Sequence, residues 1–449
     1  MGGRKAGIRA GAAISCVLLL GGCGGAGNSG SARHEPVTVA KAPAQLPVPR
    51  GKGSRSVDDF NGDGLRDLVL NDLVKSPDDA HGDDAGIGIV YGAGTGAGAG
   101  AGAGAGTGTT HGLAPGARQL LNPARQAART KGRSPAVFDA EASCDLDRDG
   151  FTDLVVSTDP PYDGQGRPPV PLQILFGSPA GLTGRAVRLV IPAAARAGND
   201  WPDQPVCGDF DGDGAEDLVV HASDGRLSYL RGPFTRKGAP RAAGKPLPSP
   251  GTVPTGPALD VNRDGYDDLL VRTAEGPATS ALVLGGPAGP TRTGTALPSG
   301  IDVALGRFGR GRALDAAVGS MDGTYLRYDL PTAVRDSIST PGSVLDAGDF
   351  DGDGVSELVS SGAELRILRG RTTGLSATGM VTVPPPARGT TRVLTVADFT
   401  GDGRADLVVR TYDGETKDTV AVYAGSKEAL VTAKPTVTFS TSEFLGMNS

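Results

Sequence analysis

Six short segments of this chain carry carboxylates at a spacing that suits cation binding. In the segment that begins at Asp209, acids stand at positions 1, 3, 5 and 9, and Gly214 stands at position 6. Ca²⁺ takes about six to eight oxygen ligands, which a tight Asp-rich loop can supply. Without a cation, like charges so close together would repel and open the loop. The segment therefore predicts a divalent-cation loop in which Gly214 makes the sharp turn.

The other five segments repeat this spacing, and an apolar run follows each of them. The backbone carbonyl of position 7 is expected to point inward as a further ligand. Taken at positions 1, 3, 5, 7 and 9, the predicted metal ligands are Asp59, Asn61, Asp63, Leu65 and Asp67; Asp145, Asp147, Asp149, Phe151 and Asp153; Asp209, Asp211, Asp213, Ala215 and Asp217; Asp260, Asn262, Asp264, Tyr266 and Asp268; Asp349, Asp351, Asp353, Val355 and Glu357; and Asp398, Thr400, Asp402, Arg404 and Asp406.

The predicted ion is Ca²⁺, at about six sites, because Mg²⁺ demands a smaller, near-octahedral geometry and keeps its waters. The segments that begin at Asp145, Asp209 and Asp349 offer four carboxylates each and should bind tightest. The role expected of the ions is structural, since a cage of four carboxylates leaves little room for substrate. The alternative is that the segments are Asx-turns that hold no ion.

A seventh segment keeps the shape of these loops but not their acids. It begins at Arg307, and Gly309 and Gly311 stand at its positions 3 and 5, so no cation is expected there. Phe308 and the acid at position 9, Asp315, are retained.

The seven segments are internal repeats. They begin at residues 59, 145, 209, 260, 307, 349 and 398, and each precedes an apolar strand and then a second one. Repeats of this length with several short strands each are typical of propeller blades. Residues 51–449 are therefore predicted to form an all-β, seven-bladed β-propeller with Ca²⁺-binding loops between the first two strands of most blades.

These repeats resemble FG-GAP or VCBS-type repeats, such as those of the integrin α-subunit propeller. The likeness rests on the ligand spacing, the apolar strand that follows and the glycine-containing second strand, and it covers roughly residues 55–440. It implies that the acidic loop joins the first and second strands of a blade and carries Ca²⁺. An EF-hand is excluded, because apolar residues such as Leu70 and Val220 stand where its bidentate Glu would be.

The N-terminus is predicted to direct export. Residues 1–22 combine a positive start with an apolar core too short to span a bilayer stably. Their end, Leu20-Gly21-Gly22-Cys23, resembles the lipobox of bacterial lipoproteins, which implies cleavage before Cys23 and its acylation. The chain would then be anchored at the extracellular face of the bacterial cell membrane by a flexible tether, residues 23–50. The alternative is an ordinary secretory signal.

Two further features concern the first three repeats. Residues 92–112 form a Gly/Ala-rich tract, interpreted as a solvated, disordered insert rather than a silk-like sheet. Cys144 and Cys207 are an even pair in an exported chain, so a disulfide is favoured over two free thiols.

The sequence indicates a binding protein rather than an enzyme. It contains no His-Glu-x-x-His pair, no Gly-x-Ser-x-Gly elbow and no phosphate-binding glycine loop, and no dense Lys/Arg block points to nucleic acid. Long segments opposite the acidic loops hold Tyr162 and Trp201, a candidate ligand face, although Trp201 could instead pack under its loop. We expect a calcium-stabilised surface module for adhesion or scaffolding that binds a surface protein or glycan. The alternatives are a lectin-like propeller and a polysaccharide-active enzyme.

Overall fold

Antiparallel strands make up nearly all the regular structure of the chain. The computed structural model describes residues 45–74, 86–94, 111–223, 225–272, 279–309, 311–330, 334–414 and 416–448. They lie in one unit that spans residues 42–449. Helix within these ranges is limited to α1 (Pro123–Gln126) and two 3₁₀ helices, Ala193–Ala195 and Thr441–Asn448. None of the described helices is long and apolar enough to cross a bilayer.

The strands form seven successive sheets, here called blades 1 to 7. Blade 1 contains β1 (Leu68–Leu70), β2 (Ile87–Ala93) and β3 (Gly112–Leu121); blade 2, β4 (Phe138–Cys144), β5 (Asp153–Thr158), β6 (Gln173–Leu175) and β7 (Val187–Arg188); blade 3, β8 (Val206–Gly208), β9 (Asp217–His221), β10 (Arg226–Arg231), β11 (Ala242–Ala243) and β12 (Leu247–Pro248); blade 4, β13 (Val253–Leu259), β14 (Asp268–Arg272), β15 (Ser280–Leu284) and β16 (Arg292–Ala296).

The remaining blades follow the same plan. Blade 5 contains β17 (Asp302–Gly306), β18 (Asp315–Gly319), β19 (Thr324–Tyr328) and β20 (Val334–Ile338); blade 6, β21 (Val344–Gly348), β22 (Glu357–Ser361), β23 (Leu365–Arg369) and β24 (Ser376–Val383); blade 7, β25 (Thr390–Ala397), β26 (Asp406–Tyr412), β27 (Asp418–Tyr423) and β30 (Val437–Phe439). A small hairpin, β28 (Gly425–Ser426) with β29 (Leu430–Val431), stands between the last two strands of blade 7.

The blades close into a ring. The first strands of successive blades contact one another, for example β17 with β21 and β21 with β25, so they line the centre. A hydrophobic cluster fills each of the seven junctions between blades, including the junction of blade 7 with blade 1, where Leu68 and Val90 pack with Val408 and Phe399. The predicted seven-bladed, all-β propeller is therefore confirmed.

Blade 1 differs from the others because it has no first strand within the described residues. Its β1 corresponds to the second strand of the other blades and stands at the edge of its sheet. Only one pair of the missing ladder is made, from the Asp67 N–H to the Asp58 carbonyl at 2.8 Å. Asp58 has φ +53°, and the chain that precedes it runs over the acidic loop instead, where the Gly51 N–H bonds the Asn61 carbonyl.

Two predicted boundaries need correction. Residues 45–50 belong to blade 1 rather than to a tether, since the Leu46 N–H bonds the Gly116 carbonyl and Val48 packs on the core. The predicted insert 92–112 overlaps two strands, because Ala93 pairs with Gly112 at the ends of β2 and β3. Residues 23–44 and 95–110 lie outside the described residues.

A buried ion pair reinforces the junction of blades 7 and 1. Arg410 Nε donates to Asp418 Oδ2 at 2.7 Å, and both side chains are almost fully buried. The same guanidinium donates to the carbonyls of Asn71 and Asp72 in blade 1. Asp418 also holds the C-terminal 3₁₀ helix through the Thr441 N–H and hydroxyl. One ion pair thus ties together the last blade, the first blade and the chain's C-terminal helix.

We expect Arg410→Met to lower the free energy of unfolding by about 3–5 kcal/mol, because Asp418 would remain buried without its partner. Urea unfolding of the variant and the parent chain measures the difference. The control is Arg366→Met, which removes an arginine that pairs with Glu364 on the surface and should cost at most about 1 kcal/mol. Equal losses in the two variants would contradict a closing role for Arg410.

Candidate metal centres

The acidic loops are shaped by their own carboxylates. In blade 3, Asp209 Oδ1 accepts from the Asp213 N–H at 3.0 Å, and Oδ2 accepts from the Gly214 N–H at 2.9 Å. Asp213 Oδ1 in turn accepts from the Ala215 N–H at 3.0 Å. The same bonds recur in the loops that begin at Asp59, Asp145, Asp260, Asp349 and Asp398. Positions 1 and 5 therefore hold the loop in its turn.

Each loop has two left-handed residues. Gly214 at position 6 has φ +76°, as its predicted role in the turn requires. Position 4 is also left-handed, at φ +71° for Gly212 and +61° for Arg148 and Arg263, which the sequence analysis did not anticipate. Position 4 is glycine in some loops and arginine in others. A positive φ could not be predicted there from the sequence, because among these residue types only glycine commonly adopts it.

Position 3 provides the best indication of a cation. The Oδ1 atoms of Asp147, Asp211 and Asp351 are buried and have no hydrogen-bond partner within the described part of the chain. These side chains are only 8%, 6% and 9% exposed. A buried carboxylate oxygen without a partner is costly, typically about 1–3 kcal/mol or more. A hard cation in the loop would satisfy this atom, so the residues present fit Ca²⁺.

Three clusters of carboxylate oxygens lie close enough together to share an ion. They are Asp145, Asp147 and Asp153; Asp209, Asp211 and Asp217; and Asp349, Asp351 and Asp353, each with its ligand atoms within 4.8 Å of one another. All three belong to the loops with four acids. The clusters are compatible with Ca²⁺ and coincide with the sites predicted to bind tightest.

Arginines contact the same carboxylates. Arg231 reaches Asp211 Oδ2 at 2.9 Å, and Arg369 reaches Asp351 Oδ2 at 2.7 Å. Each arginine ends the third strand of its own blade. These contacts leave the Oδ1 atoms of Asp211 and Asp351 without a partner, and the guanidinium groups partly offset the negative charge of the loop.

Each loop with three acids also has a hydrogen-bond donor at position 3. Asn61 Nδ2 donates to Asp63 at 3.2 Å, Asn262 Nδ2 to Asp264 at 3.2 Å, and Thr400 Oγ1 to Asp398 at 3.4 Å. At position 3, an amide or hydroxyl group that donates a hydrogen bond thus takes the place of a carboxylate that would repel its neighbours. These loops therefore need a cation less than the loops with four acids.

In six blades the acid at position 9 also accepts two backbone hydrogen bonds, an arrangement here called the clasp. In blade 3, Asp217 accepts one from the Gly232 N–H and one from the Tyr229 hydroxyl. Asp153 Oδ2 accepts from the Leu146 N–H at position 2, and Oδ1 accepts from the Gly177 N–H that follows β6. The equivalent acids Asp67, Asp268, Asp315, Glu357 and Asp406 accept the same pair of backbone bonds. Because Asp315 does so in the blade without a cation loop, this clasp does not depend on metal.

The clasp also explains the glycine after the third strand. A Cβ at Gly177 would lie 2.4 Å from the Thr152 carbonyl oxygen, and one at Gly232 would lie 2.1 Å from that of Glu216. Neither position can hold a side chain without moving the backbone.

Blade 5 replaces this glycine with an acid. Asp329 Oδ1 accepts from the Arg312 and Ala313 N–H groups at 2.9 and 3.1 Å, inside the loop that has lost its acids. The carboxylate of Asp329 thus fixes the conformation of this loop through two backbone hydrogen bonds.

Burial raises the pKa of the clasp carboxyls. The pKa is about 8 for Asp153 and Glu357 and about 6 for Asp268 and Asp315, with desolvation as the main cause in each case. Neighbouring loop acids raise the pKa of Asp153 further. Backbone N–H donors act in the opposite direction but are outweighed.

Neighbouring loops are joined by direct hydrogen bonds. The Thr152 N–H bonds the Asp59 carbonyl, and the Asp59 N–H bonds the Thr152 hydroxyl, both at 3.0 Å. Asp267 pairs with Asp209 in the same way between blades 3 and 4, and Ser356 with Arg307 between blades 5 and 6. In each case position 8 of one loop holds position 1 of the loop before it.

The other predicted residues fall in separate places. Cys144 and Cys207 are joined in a disulfide between β4 and β8, which links blades 2 and 3. Tyr162 and Trp201 are 44% and 41% exposed, so Trp201 does not pack beneath its loop. They lie at the end of the blades opposite the acidic loops, because an antiparallel meander places alternate connections at opposite ends. Cys23 lies outside the described residues.

Comparisons with known proteins agree with this architecture. Residues 349–409 match the model of an FG-GAP-like repeat. No curated protein matches the chain. Together with the seven blades, the repeat match supports an FG-GAP-type propeller.

Solved structures with similar folds show only distant likeness. BBS1N in complex with ARL6DN is 14% identical, with a TM-score of 0.45 over 86% of this chain and 96% of that one. The Dos1 propeller is 11% identical, with a TM-score of 0.44 over 84% and 90%. The BP39L lectin from Burkholderia pseudomallei is 15% identical, with a TM-score of 0.42 over 84% and 99%. The assignment of seven blades stands on the sheets of this chain.

We predict that the chelator-treated chain becomes less stable as the pH rises from about 5 to 8.5. Four clasp carboxyls, those of Asp153, Glu357, Asp268 and Asp315, have folded pKa values of about 6 to 8, above the unfolded values of about 4. The folded chain therefore holds more protons in this range, and its stability falls as pH rises. Urea unfolding in EDTA measures the trend. Saturating Ca²⁺ should flatten or reverse it, and equal stability at both pH values in EDTA would contradict it.

Proposed function

We propose that this chain is a calcium-stabilised binding module without catalytic activity. It is held at the outer face of the bacterial cell membrane by a lipid on Cys23. The observation that carries the binding role is a pair of exposed aromatic side chains, Tyr162 and Trp201, on loops tied to one another at one end of the ring. Rigid, exposed aromatics are common anchors of binding surfaces.

Ion pairs hold these loops in place. Arg167 Nε donates to Asp200 Oδ1 at 2.7 Å, which joins the loop of Tyr162 to the loop of Trp201. Lys131 pairs with Asp163, which links the segment between blades 1 and 2 to the loop of Tyr162. The Tyr162 hydroxyl donates to the Gly166 carbonyl, which fixes the ring within its own loop. A pre-ordered surface loses less entropy on binding than a mobile one.

Calcium has a supporting role in this proposal. The acidic loops lie at the opposite end of the blades from Tyr162 and Trp201, so an ion there cannot touch a ligand at the aromatic face. Its effect is to satisfy the orphaned Oδ1 atoms at position 3 and to fix the hairpin at the start of each blade. An ion at 100 times its dissociation constant adds about 2.7 kcal/mol per site.

A protein partner is favoured, and a glycan is the second candidate. Sugar sites usually use stacking aromatics, and Tyr162 and Trp201 could supply them at one place. Aromatic residues are only 4% of the chain, too few for a site in each of the seven blades. Adhesion or scaffolding through a single surface therefore fits the composition better than a multivalent lectin.

We expect the purified chain to bind Ca²⁺ and to melt at a higher temperature in Ca²⁺ than in EDTA. Asp211→Asn should reduce the bound calcium by about one ion per chain and narrow the difference in melting temperature, because it removes a carboxylate from a four-acid loop. Metal counting and thermal melting measure the two effects. Asp322→Asn, which changes an exposed acid of blade 5, is the matched control and should alter neither. A metal-free chain that melts identically in both buffers would contradict the calcium role.

We expect Trp201→Ala to weaken ligand binding by at least about tenfold, a change that corresponds to about 1.4 kcal/mol. Glycan arrays and pull-down from cell-surface extracts identify the ligand, and titration then measures the loss. Tyr325→Ala removes a similarly exposed aromatic from blade 5 and should leave the affinity unchanged. Silent arrays with a Trp201-dependent protein ligand support the module proposed here. A Trp201-dependent glycan would make the chain a lectin, and turnover of a polysaccharide would make it an enzyme.

A further inference from the structure

No strand within the described residues stands first in blade 1, and a slot lies at that place in the wall of the ring. A cavity of about 360 Å³ lies along β1 and is bordered by the first strands of the two neighbouring blades. Ala140 to Ser143 of β4 form one side, and Leu394 and Thr395 of β25 form the other. Asp58 and Arg66 close the slot at the end near the acidic loop, and Asp72 lies at the other end.

The slot presents the edge of a sheet. β1 pairs with β2 through Leu68, Val69 and Leu70, and no described strand pairs with its other edge. An edge of this kind offers backbone N–H and C=O groups to any extended segment that lies beside it. An extended polypeptide is therefore the ligand whose chemistry matches the slot.

The side chain of Asn71 makes the hydrogen bonds that a strand in the slot would make to β4. Asn71 Nδ2 donates to the Ala140 carbonyl, and Asn71 Oδ1 accepts from the Ala140 N–H, both at 2.9 Å. The amide thus gives Ala140 of β4 the pair of bonds that a neighbouring peptide group would give.

The other six blades show which strand fits this position. Their first strands carry aliphatic and small side chains that point into the junctions, such as Leu345 and Ala347 of β21 and Val393 and Val396 of β25. The walls at blade 1 offer matching apolar surface from Leu154 on one side and from Phe399 and Leu394 on the other. Leu394 is 37% exposed, although it faces the inside of the ring wall.

The charged side chains that border the slot indicate which extended segments would bind best. Arg66 and Arg410, the arginines of the slot, are already paired with Asp58 and Asp418. Asp72 and Glu141 border the slot, are exposed and form no salt bridge with another described residue. The free charge at the slot is therefore negative, which favours a basic ligand.

We propose that the slot binds an extended, basic segment of a partner protein, which adds to β1 as a first strand of blade 1. Alternating aliphatic and small side chains of the segment fill the two junctions, and its Lys or Arg meets Asp72 and Glu141. This site lies in the ring wall at blade 1, apart from the aromatic face of blades 2 and 3. It therefore does not depend on that face.

The probe is a fluorescein-labelled octapeptide that copies residues 390–397, the first strand of blade 7, because this sequence contains an arginine and no acid. Fluorescence anisotropy should show saturable binding to the full chain. Hydrogen exchange at Leu68, Val69 and Leu70 should slow when the peptide is added. A second peptide with proline at alternate positions lacks the N–H donors that a sheet requires, and it should not bind.

Two variants of the chain test the location. Leu394→Trp fills the slot from β25 and should weaken binding at least about tenfold, whereas Val334→Trp places the same ring on an exposed valine of blade 5 and should not. Glu141→Lys, on an exposed side chain, should weaken binding of the basic peptide, and Glu141→Gln should do so less. Trp201→Ala should leave peptide binding unchanged, so this test succeeds or fails independently of the aromatic face.

Absence of saturable binding would overturn the proposal. Equal binding of the proline peptide, or full binding by both Leu394→Trp and Glu141→Lys with unchanged exchange at β1, would also overturn it. Self-association of the chain that Leu394→Trp abolishes would place a second copy in the slot instead of a foreign segment. Melting curves of each variant show that the fold is retained.

Discussion

The propeller depends on one repeated interaction, a buried carboxylate that accepts hydrogen bonds from two backbone N–H groups at the start of six of the seven blades. Asp153 and five counterparts each accept one bond from position 2 of the loop and a second from the end of the third strand. Asp217 of blade 3 instead accepts from the Tyr229 hydroxyl and the Gly232 N–H. The bond fixes the entry of the second strand relative to the third, and a side chain at the glycine would collide with the loop carbonyl. The acids at positions 1, 3 and 5 are arranged around this frame. A cation in these loops would therefore be an addition to a hairpin that blade 5 builds from its own side chains.

The sequence predicted the ring well because its signals are local and repeated. Ligand spacing and the apolar runs that follow it identified all seven blades, including the blade whose loop begins at Arg307. What escaped prediction depends on contacts distant in sequence or on backbone geometry. The left-handed φ of Arg148 has no mark in the sequence. The pairing of Arg410 with Asp418 joins residues that look like ordinary surface charges until blades 7 and 1 meet.

Ring closure here uses side chains more than strands. Blade 7 is completed by its own β30, so the two ends of the chain do not share a sheet among the described residues. Arg410, Asp418 and the C-terminal 3₁₀ helix join the last blade to the first, and Phe444 is buried against Gly88 of β2. An ion pair taken out of water must keep every hydrogen bond to be favourable. The relative position of blades 7 and 1 is consequently constrained by the hydrogen bonds of Arg410 and Asp418, although the described ends of the chain share no sheet.

Hydrogen bonds join several pairs of adjacent loops, such as Thr152 with Asp59. The loops of blades 5 and 6 are joined in this way through Arg307 and Ser356, although the loop of blade 5 holds Asp329 in place of acids at its first positions. The contact at position 1 uses its backbone N–H and C=O groups, so it needs no carboxylate there. Replacement of the acids at positions 1, 3 and 5 can therefore change the charge of one loop and leave the contact between two blades intact.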